Sequence, residues 1–104
     1  MSHREFLYRI QPVRADMLES GPTPEEDAVV SAHFDYLREL RDRGVLILAG
    51  RTLNTDAGAF GIVVFEADDE VSARAIVAAD PAVSKGVMRA DLFPYRVALM
   101  TGRA

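Results

Sequence analysis

His33 is the residue of this chain whose type and position offer the clearest chemistry. It is one of two histidines among 104 residues, and it lies on the apolar stripe of a predicted helix. In a view down the helix axis it falls between Leu37 and Leu40. An imidazole gains or loses a proton near physiological pH, so His33 is a candidate general base or acid. Burying the ring without a hydrogen-bond partner is costly. Either a carbonyl or water satisfies it in the core, or it lines a pocket beneath the helix.

Asp80 is the carboxylate that we expect to meet this ring. It stands in an Asp80-Pro81 step at the end of a second predicted helix, where a negative charge opposes the helix dipole. Asp80 could cap the next short segment. It could instead face the cleft and orient His33, and both roles can hold together. Spacing alone does not bring the two residues together, because a predicted hairpin lies between them.

Three arginines are candidates for binding a carboxylate or enolate of a substrate, namely Arg9, Arg51 and Arg89. The alternative is that each lies at the surface or at an interface. Two histidines and no cysteine leave no zinc or iron ligand spacing, so we expect neither a metal nor a cofactor. Nucleophile-elbow and phosphate-loop motifs are also missing from the sequence, which leaves proton transfer as the chemistry that these residues permit.

The helix that carries His33 has both ends encoded in the sequence. Thr23 is a good N-cap, Pro24 suits the first helical position, and Glu26 completes a capping box. Gly44 supplies the left-handed residue that closes the helix. We therefore predict one helix between Thr23 and Gly44.

The remaining elements follow from periodicity and turn residues. Strands are predicted at Glu5–Pro12, Val45–Leu53, Ala59–Ala67 and Val87–Met100, and a second helix begins at Asp68 or Asp69. Its expected buried side comprises Val71, Ala75, Ala78 and Ala79. Gly50 suggests a bulge or close approach, and Pro94 a break, bulge or edge position. The long loop Val13–Pro22 is expected to cover a site, with Arg14 and Asp16 in solvent.

The predicted order is strand, helix, strand, strand, helix, strand. It favours a ferredoxin-like α+β fold, in which one antiparallel four-stranded sheet carries both helices on one face. The strands look apolar on both faces, yet two helices cover only one. A second copy of the chain should cover the other, so we predict a homodimer through the open sheet face.

Composition sets the remaining expectations. The length predicts a single domain over residues 1–104, and 49% apolar with 27% charged residues is ordinary for a globular protein. A net charge of −4 without a basic cluster argues against a nucleic-acid partner. No apolar run is long enough for a membrane span, and the first residues lack a signal-peptide core. The absence of cysteine fits a cytoplasmic location.

Several short motifs recur in the order and spacing of a known family. From Phe6 to Leu99 the succession SAHFDYLREL, AGRTL, GAFGIVVFEA, AADPAV and GVMRADLFPYRVAL resembles the YciI-related (YCII) family. The resemblance implies a dimeric α/β barrel. The histidine and the Asp-Pro aspartate that the family shares match His33 and Asp80, which are thereby implied to be its active-site pair. The first loop is longer here, so the family's pocket shape does not transfer.

Together these observations predict a small cofactor-independent enzyme of the lyase, isomerase or dehydrochlorinase type that acts on a small organic substrate. His33 would transfer the proton and Asp80 would orient it. The alternative is a non-catalytic dimeric protein that binds a small molecule. A structural dimer with a silent histidine and a cofactor-free oxygenase are further possibilities, because one fold supports unrelated chemistries.

Overall fold

The computed structural model describes residues 4–102 of the predicted domain. In chain order the elements are β1 (Arg4–Pro12), α1 (Met17–Ser20), α2 (Pro24–Asp42), β2 (Leu46–Arg51), β3 (Gly61–Ala67), α3 (Glu70–Ala79), α4 (Pro81–Ser84) and β4 (Met88–Tyr95). The two long helices and the four strands follow one another in the predicted order. The two short helices, α1 and α4, lie in the connections that precede α2 and β4.

The four strands form one antiparallel sheet in the order β2-β3-β1-β4. This order places the first and third strands in the centre, as in a ferredoxin-like fold. The predicted fold class is therefore confirmed. No helix within residues 4–102 has the length and apolar character needed to cross a bilayer.

One face of the sheet packs against the helices and forms the core. Phe6, Tyr8 and Ile10 of β1 point to this face, and the rings of Phe6 and Tyr8 both pack on Phe65 of β3. Leu40 of α2 is completely buried above them. Alternation along β1 separates this buried set from the side chains of the opposite face.

The opposite face is apolar only in part, which corrects the expectation of strands that are apolar on both faces. Leu7, Val64 and Phe93 meet there in register on three neighbouring strands. Beside them, however, Arg9 pairs with Asp91. We call this surface the open face.

Helix α2 begins and ends where the sequence places it. Thr23 accepts a hydrogen bond from the Glu26 amide at 3.1 Å, and Glu26 in return accepts one from the Thr23 amide at 2.9 Å. Gly44 closes the helix with a φ of +75°. The capping box and the left-handed residue thus fix both ends of the helix that carries the site.

Helix α3 buries a different face from the one predicted. Ala73 is fully buried and Ile76 and Val77 are half-buried, while the expected set is exposed, namely Val71, Ala75, Ala78 and Ala79. The helix is apolar on both of these sides. Its sequence therefore does not decide which side meets the sheet, and packing against β3 and β4 does.

Two strands also differ from their predicted form. Strand β4 ends at Tyr95 and not at Met100, and Pro94 lies within it because an edge strand can do without one amide donor. The irregularity of β2 falls between Leu46 and Leu48, where the register shifts, and not at Gly50. Gly50 instead fits the alternative of a close approach, because its carbonyl oxygen would lie only 3.2 Å from a Cβ added at Gly61.

Candidate active site

Helix α2 holds His33 over the sheet at the edge of an apolar cavity. The side chain is only 5% exposed, and Leu37, one turn further along the helix, is similarly buried. Both residues line the cavity, together with Ile10 and Val63 of the sheet. The ring therefore lies beneath the helix, as the pocket interpretation predicts. Any ring nitrogen that is buried there needs a hydrogen-bond partner.

Asp80 provides the partner. Its Oδ1 and Oδ2 lie 2.9 Å and 2.8 Å from Nδ1 of His33, and the aspartate is fully buried. Oδ1 also accepts a hydrogen bond from the Ala82 amide at 2.9 Å, which makes Asp80 the N-cap of α4. The structure thus shows both the cap and the contact with the His33 ring. The cap fixes the carboxylate in the place where it meets the imidazole.

Tyr8 is a third member of this cluster, and the sequence analysis did not assign it to the site. Its hydroxyl donates a hydrogen bond of 2.8 Å to Oδ2 of Asp80. Burial, followed by the charge of Asp80 and the hydrogen bond to it, raises the pKa of Tyr8 far above its ordinary value, so the phenol remains a donor. One signal was available: a tyrosine on the buried side of a central strand needs a partner for its hydroxyl.

These contacts set the tautomer of the histidine. An ionised carboxylate only accepts hydrogen bonds, so Nδ1 of His33 carries the proton that faces Asp80. Within residues 4–102, every fully buried side-chain nitrogen or oxygen has a hydrogen-bond partner. The Nε2 atom of His33 has none among these residues, because its hydrogen bonds to Asp80 involve only Nδ1. Nε2 is therefore not completely buried, and the residue that carries it lines the cavity. A neutral imidazole held in this way presents a basic nitrogen to a ligand.

The cavity has a volume of about 180 Å³. Apart from His33, Arg51 and Thr52, its lining side chains are apolar or are glycines. Met17 and Leu18 of α1 cover one side, and Phe34 and Phe60 stand half-exposed at the lining. Pockets for drug-sized ligands measure about 300 Å³ or more, so this cavity suits a smaller molecule.

The structure separates the three candidate arginines. Arg51, at the end of β2, lines the cavity with His33, and its Nε donates to the Thr52 carbonyl at 3.0 Å. Arg9 and Arg89 project from the open face, where Arg9 pairs with Asp91 at 3.0 Å and Arg89 donates to the Gln11 side chain. Within one chain the sheet itself therefore separates Arg9 and Arg89 from the imidazole.

The segment between β1 and α2, residues 13–22, covers the cavity as expected, but Arg14 is not simply solvated. Its guanidinium binds both carboxylate oxygens of Glu26, at 2.7 and 3.0 Å, and the Gly21 carbonyl at 2.8 Å. It also pairs with Asp16 at 2.9 Å. Arg14 thus ties the segment that carries Met17 to the first turn of α2.

Across residues 4–102 no three histidine, aspartate or glutamate side chains come together in a group that could hold a metal ion. His33 contacts one acidic side chain, that of Asp80, and Tyr8 joins the cluster through its hydrogen bond to Asp80.

Comparison with known proteins places the chain in a family. The model of the YCII-related domain matches residues 6–95, which include both members of the His–Asp pair. The chain belongs to the YCII-related family. The resemblance drawn from the sequence motifs is thereby confirmed. No curated protein matches the chain.

Solved structures with the same fold include three of interest. 5-Chloro-2-hydroxyhydroquinone dehydrochlorinase (TftG) from Burkholderia phenoliruptrix AC1100, in complex with 2,5-dihydroxybenzoquinone, is 20% identical over 88% of this chain and 93% of that chain, with a TM-score of 0.65. The uncharacterized protein TM1266 from Thermotoga maritima is 12% identical over 91% and 100%, with a TM-score of 0.54. A dimeric ferredoxin-like protein from an uncultured marine organism is 16% identical over 96% and 100%, at 0.50. At these identities the likeness concerns the fold.

Proposed function

We propose that this YCII-related protein is a small enzyme that performs cofactor-independent proton-transfer chemistry on a small ring-bearing substrate. The observation that carries the proposal is the orientation of His33. Asp80 holds one ring nitrogen, and the other opens onto an apolar cavity. A positioned imidazole of this kind contributes about 10²- to 10⁴-fold to a rate as a general base.

The proposed reaction is an elimination of the dehydrochlorinase type. Nε2 of His33 takes a hydroxyl proton from the keto tautomer of the substrate, in which the carbon that bears chlorine is tetrahedral, and the electron pair left behind moves through the conjugated system to form a new double bond to that carbon. Chloride leaves the same carbon with its bonding pair, so the substrate loses one proton and one chloride without a change of oxidation state overall. Asp80 stabilises the imidazolium, which then returns the proton to water. Arg51 stabilises the enolate oxygen of the substrate.

The cavity supports a single ring with a few polar substituents. A cavity of about 150 Å³ can hold benzene, and the volume here is about 180 Å³. Apolar walls favour the faces of such a ring, while His33, Arg51 and Thr52 offer contacts to hydroxyl or enolate oxygens. The dehydrochlorinase of the same fold binds 2,5-dihydroxybenzoquinone, a ring of this class.

Chloride release from 5-chloro-2-hydroxyhydroquinone and related chlorinated, hydroxylated rings tests this proposal. We expect the wild type to release chloride and His33→Asn to be at least about 100-fold slower, because the asparagine amide can still donate to Asp80 but offers no basic nitrogen. Circular dichroism checks that the variant is folded. A His33→Asn variant as active as the wild type would rule out the assigned base.

A matched pair of arginine variants tests the assignment of the cavity. Arg51→Gln should raise KM or lower kcat by about 10-fold or more through loss of a charged hydrogen bond. Arg89→Gln, on the open face, should leave both constants near those of the wild type. Equal losses in the two variants would contradict the placement of the substrate beside Arg51.

The alternative function is a non-catalytic protein that binds a small molecule in the same cavity. The mostly apolar lining favours binding whether or not a reaction follows. Calorimetric titration with 2,5-dihydroxybenzoquinone distinguishes the two functions. Binding that depends on His33, without chloride release from 5-chloro-2-hydroxyhydroquinone or the related chlorinated, hydroxylated rings, would assign the binding role.

We also propose that the protein is a homodimer in which the open faces of two copies meet. Leu48, Phe93 and Tyr95 are between 45% and 47% exposed on this face and surround the less exposed Leu7 and Val64. Apolar side chains clustered in this way favour a protein interface. The dimeric ferredoxin-like protein from the marine organism shares the fold. A cytoplasmic location stays a prediction from the cysteine-free composition.

A further inference from the structure

The Asp80 carboxylate distributes its charge among donors from three elements. Tyr8 of β1 donates to Oδ2, the Ala82 amide of α4 donates to Oδ1, and Nδ1 of His33 lies within 2.9 Å of both oxygens. Each donor withdraws charge from the carboxylate. A donor that is lost therefore leaves more negative charge for the donors that remain.

We propose that Tyr8 is a positioning residue that sets the proton affinity of His33 through Asp80. Tyr8 does not line the cavity and touches the imidazole's partner, not the space for a ligand. The inference rests on the proposed function for its catalytic meaning, since His33 is the base there. The effect of the Tyr8 hydroxyl on the proton affinity of His33 does not itself depend on any reaction.

The surroundings of the pair make Tyr8 the group that can act in this way. Tyr36 of α2 also senses the charge of Asp80, and burial with that charge raises the pKa of Tyr36 to about 12. Its hydroxyl, however, donates to the Ile76 carbonyl at 2.6 Å and not to the carboxylate. Arg51 from β2 is the charged side chain across the cavity. Of these groups, Tyr8 alone has a hydrogen bond to Asp80.

The direction of the effect follows from charge balance. Without the phenol, Oδ2 of Asp80 carries more charge toward Nδ1 of His33, and the charged imidazolium gains stability relative to the neutral ring. Removing the Tyr8 hydroxyl should therefore make His33 harder to deprotonate. A stronger donor at the same place should have the opposite effect.

Nitrogen-15 NMR of the imidazole tests the coupling in the intact protein. The second histidine is removed by His3→Gln in every sample, so that the spectrum reports His33 alone. We expect Tyr8→Phe to move the midpoint of the His33 titration upward by about 0.5 to 1 pH unit, the size set by one hydrogen bond. The Nδ1–H tautomer should persist, because Asp80 still accepts that proton.

Tyr36→Phe is the matched control, because it removes a hydroxyl hydrogen bond next to the site without touching Asp80. Its midpoint should stay within about 0.2 pH unit of the parent, well below the effect of one hydrogen bond. If both variants shift the midpoint alike, or if both lose the tautomer signal, Tyr8 has only a structural role and the proposal is overturned. An unchanged midpoint in Tyr8→Phe overturns it as well.

A second variant covers the case in which Tyr8→Phe does not fold. A 3-fluorotyrosine placed at position 8 keeps the hydroxyl and makes it a stronger donor, so the midpoint should move downward. A shift in the other direction, or none, overturns the proposal. Failure of the proposed enzyme function is distinguishable, since a shifted midpoint without any turnover leaves the coupling intact. Turnover with an unshifted midpoint removes the coupling and leaves the enzyme.

Discussion

At the scale of single residues, Asp80 is the residue on which the largest number of site contacts depends. It is completely buried, and a buried carboxylate is tolerated only where donors replace water. Tyr8, His33 and the Ala82 amide are those donors. The same side chain thus caps a helix, satisfies two buried polar groups and fixes the tautomer of the candidate base.

Asp80→Asn should destabilise the protein by about 2 to 4 kcal/mol. The amide nitrogen would face one of the existing donors and leave it unsatisfied, and such buried losses are large. Urea unfolding followed by circular dichroism measures the change in the free energy of unfolding.

Asp91→Asn is the control for that measurement. Asp91 is about half exposed and pairs with Arg9 on the open face, and such pairs contribute at most about 1 kcal/mol. Equal costs for Asp80→Asn and Asp91→Asn would contradict the role given to the buried network.

At the scale of elements, the Arg14 side chain connects the segment of residues 13–22 to helix α2. Arg14 joins it to Glu26 in the first turn of α2, while Met17 is buried at 2% exposure against the cavity. The Glu26 carboxylate also accepts from the Thr23 amide, so one glutamate serves both the helix cap and the segment above the site.

This contact should make stability depend on pH in the acid range. The hydrogen bond from Arg14, followed by that from Thr23, lowers the pKa of Glu26 from 4.5 to about 2 in the folded protein. The unfolded chain therefore binds the proton first as the pH falls. The contribution of Glu26 is complete above about pH 4.5 and is lost progressively toward pH 2.

Urea unfolding between pH 5 and pH 2 measures this dependence. Glu26→Gln should unfold with a shallower decrease in free energy over the range than the wild type. Glu70→Gln, which removes an exposed pair with Arg74, should follow the wild type closely. A Glu26→Gln curve parallel to the wild type would show that the Arg14 contact does not persist in solution.

At the scale of the whole molecule, the sheet separates two surfaces of different composition. The helix-covered face contains the core and the cavity with His33 and Arg51. The open face contains Phe93 and Tyr95, each nearly half exposed, beside the Arg9–Asp91 pair. A dimer through the open face leaves the cavity of each copy on the other side of its own sheet.

Phe93→Arg should convert the proposed dimer to a monomer. The added guanidinium would be buried among the apolar side chains of two open faces, which is unfavourable by several kcal/mol. Sedimentation velocity over a range of protein concentrations measures the state of assembly. Val71→Arg places the same charge on an apolar residue of α3 that is 79% exposed, and the dimer should survive it. A wild type that sediments as a monomer at all concentrations would remove the proposal.

Local sequence signals determine much of this protein. The capping box of Thr23 and Glu26 and the positive-φ Gly44 fix α2 because their interactions lie within a few residues of each other. Alternation along β1 likewise separates Arg9 from Tyr8, because neighbouring strand residues face opposite sides. The same rule places Arg9 away from the buried face that carries the site, although the arginine type alone made it a candidate.

Tertiary packing decided the rest. The register of β2 on β3 turned Arg51 toward the cavity, and the packing of α3 chose the face with Ala73 over the one with Val71. The contact of His33, Asp80 and Tyr8 joins three elements far apart in the chain. Local periodicity in the sequence does not predict this tertiary contact, because the contact depends on how the helices pack on the sheet. The sequence by itself determined that an imidazole would be buried, and the folded chain determined what holds it and where its free nitrogen opens.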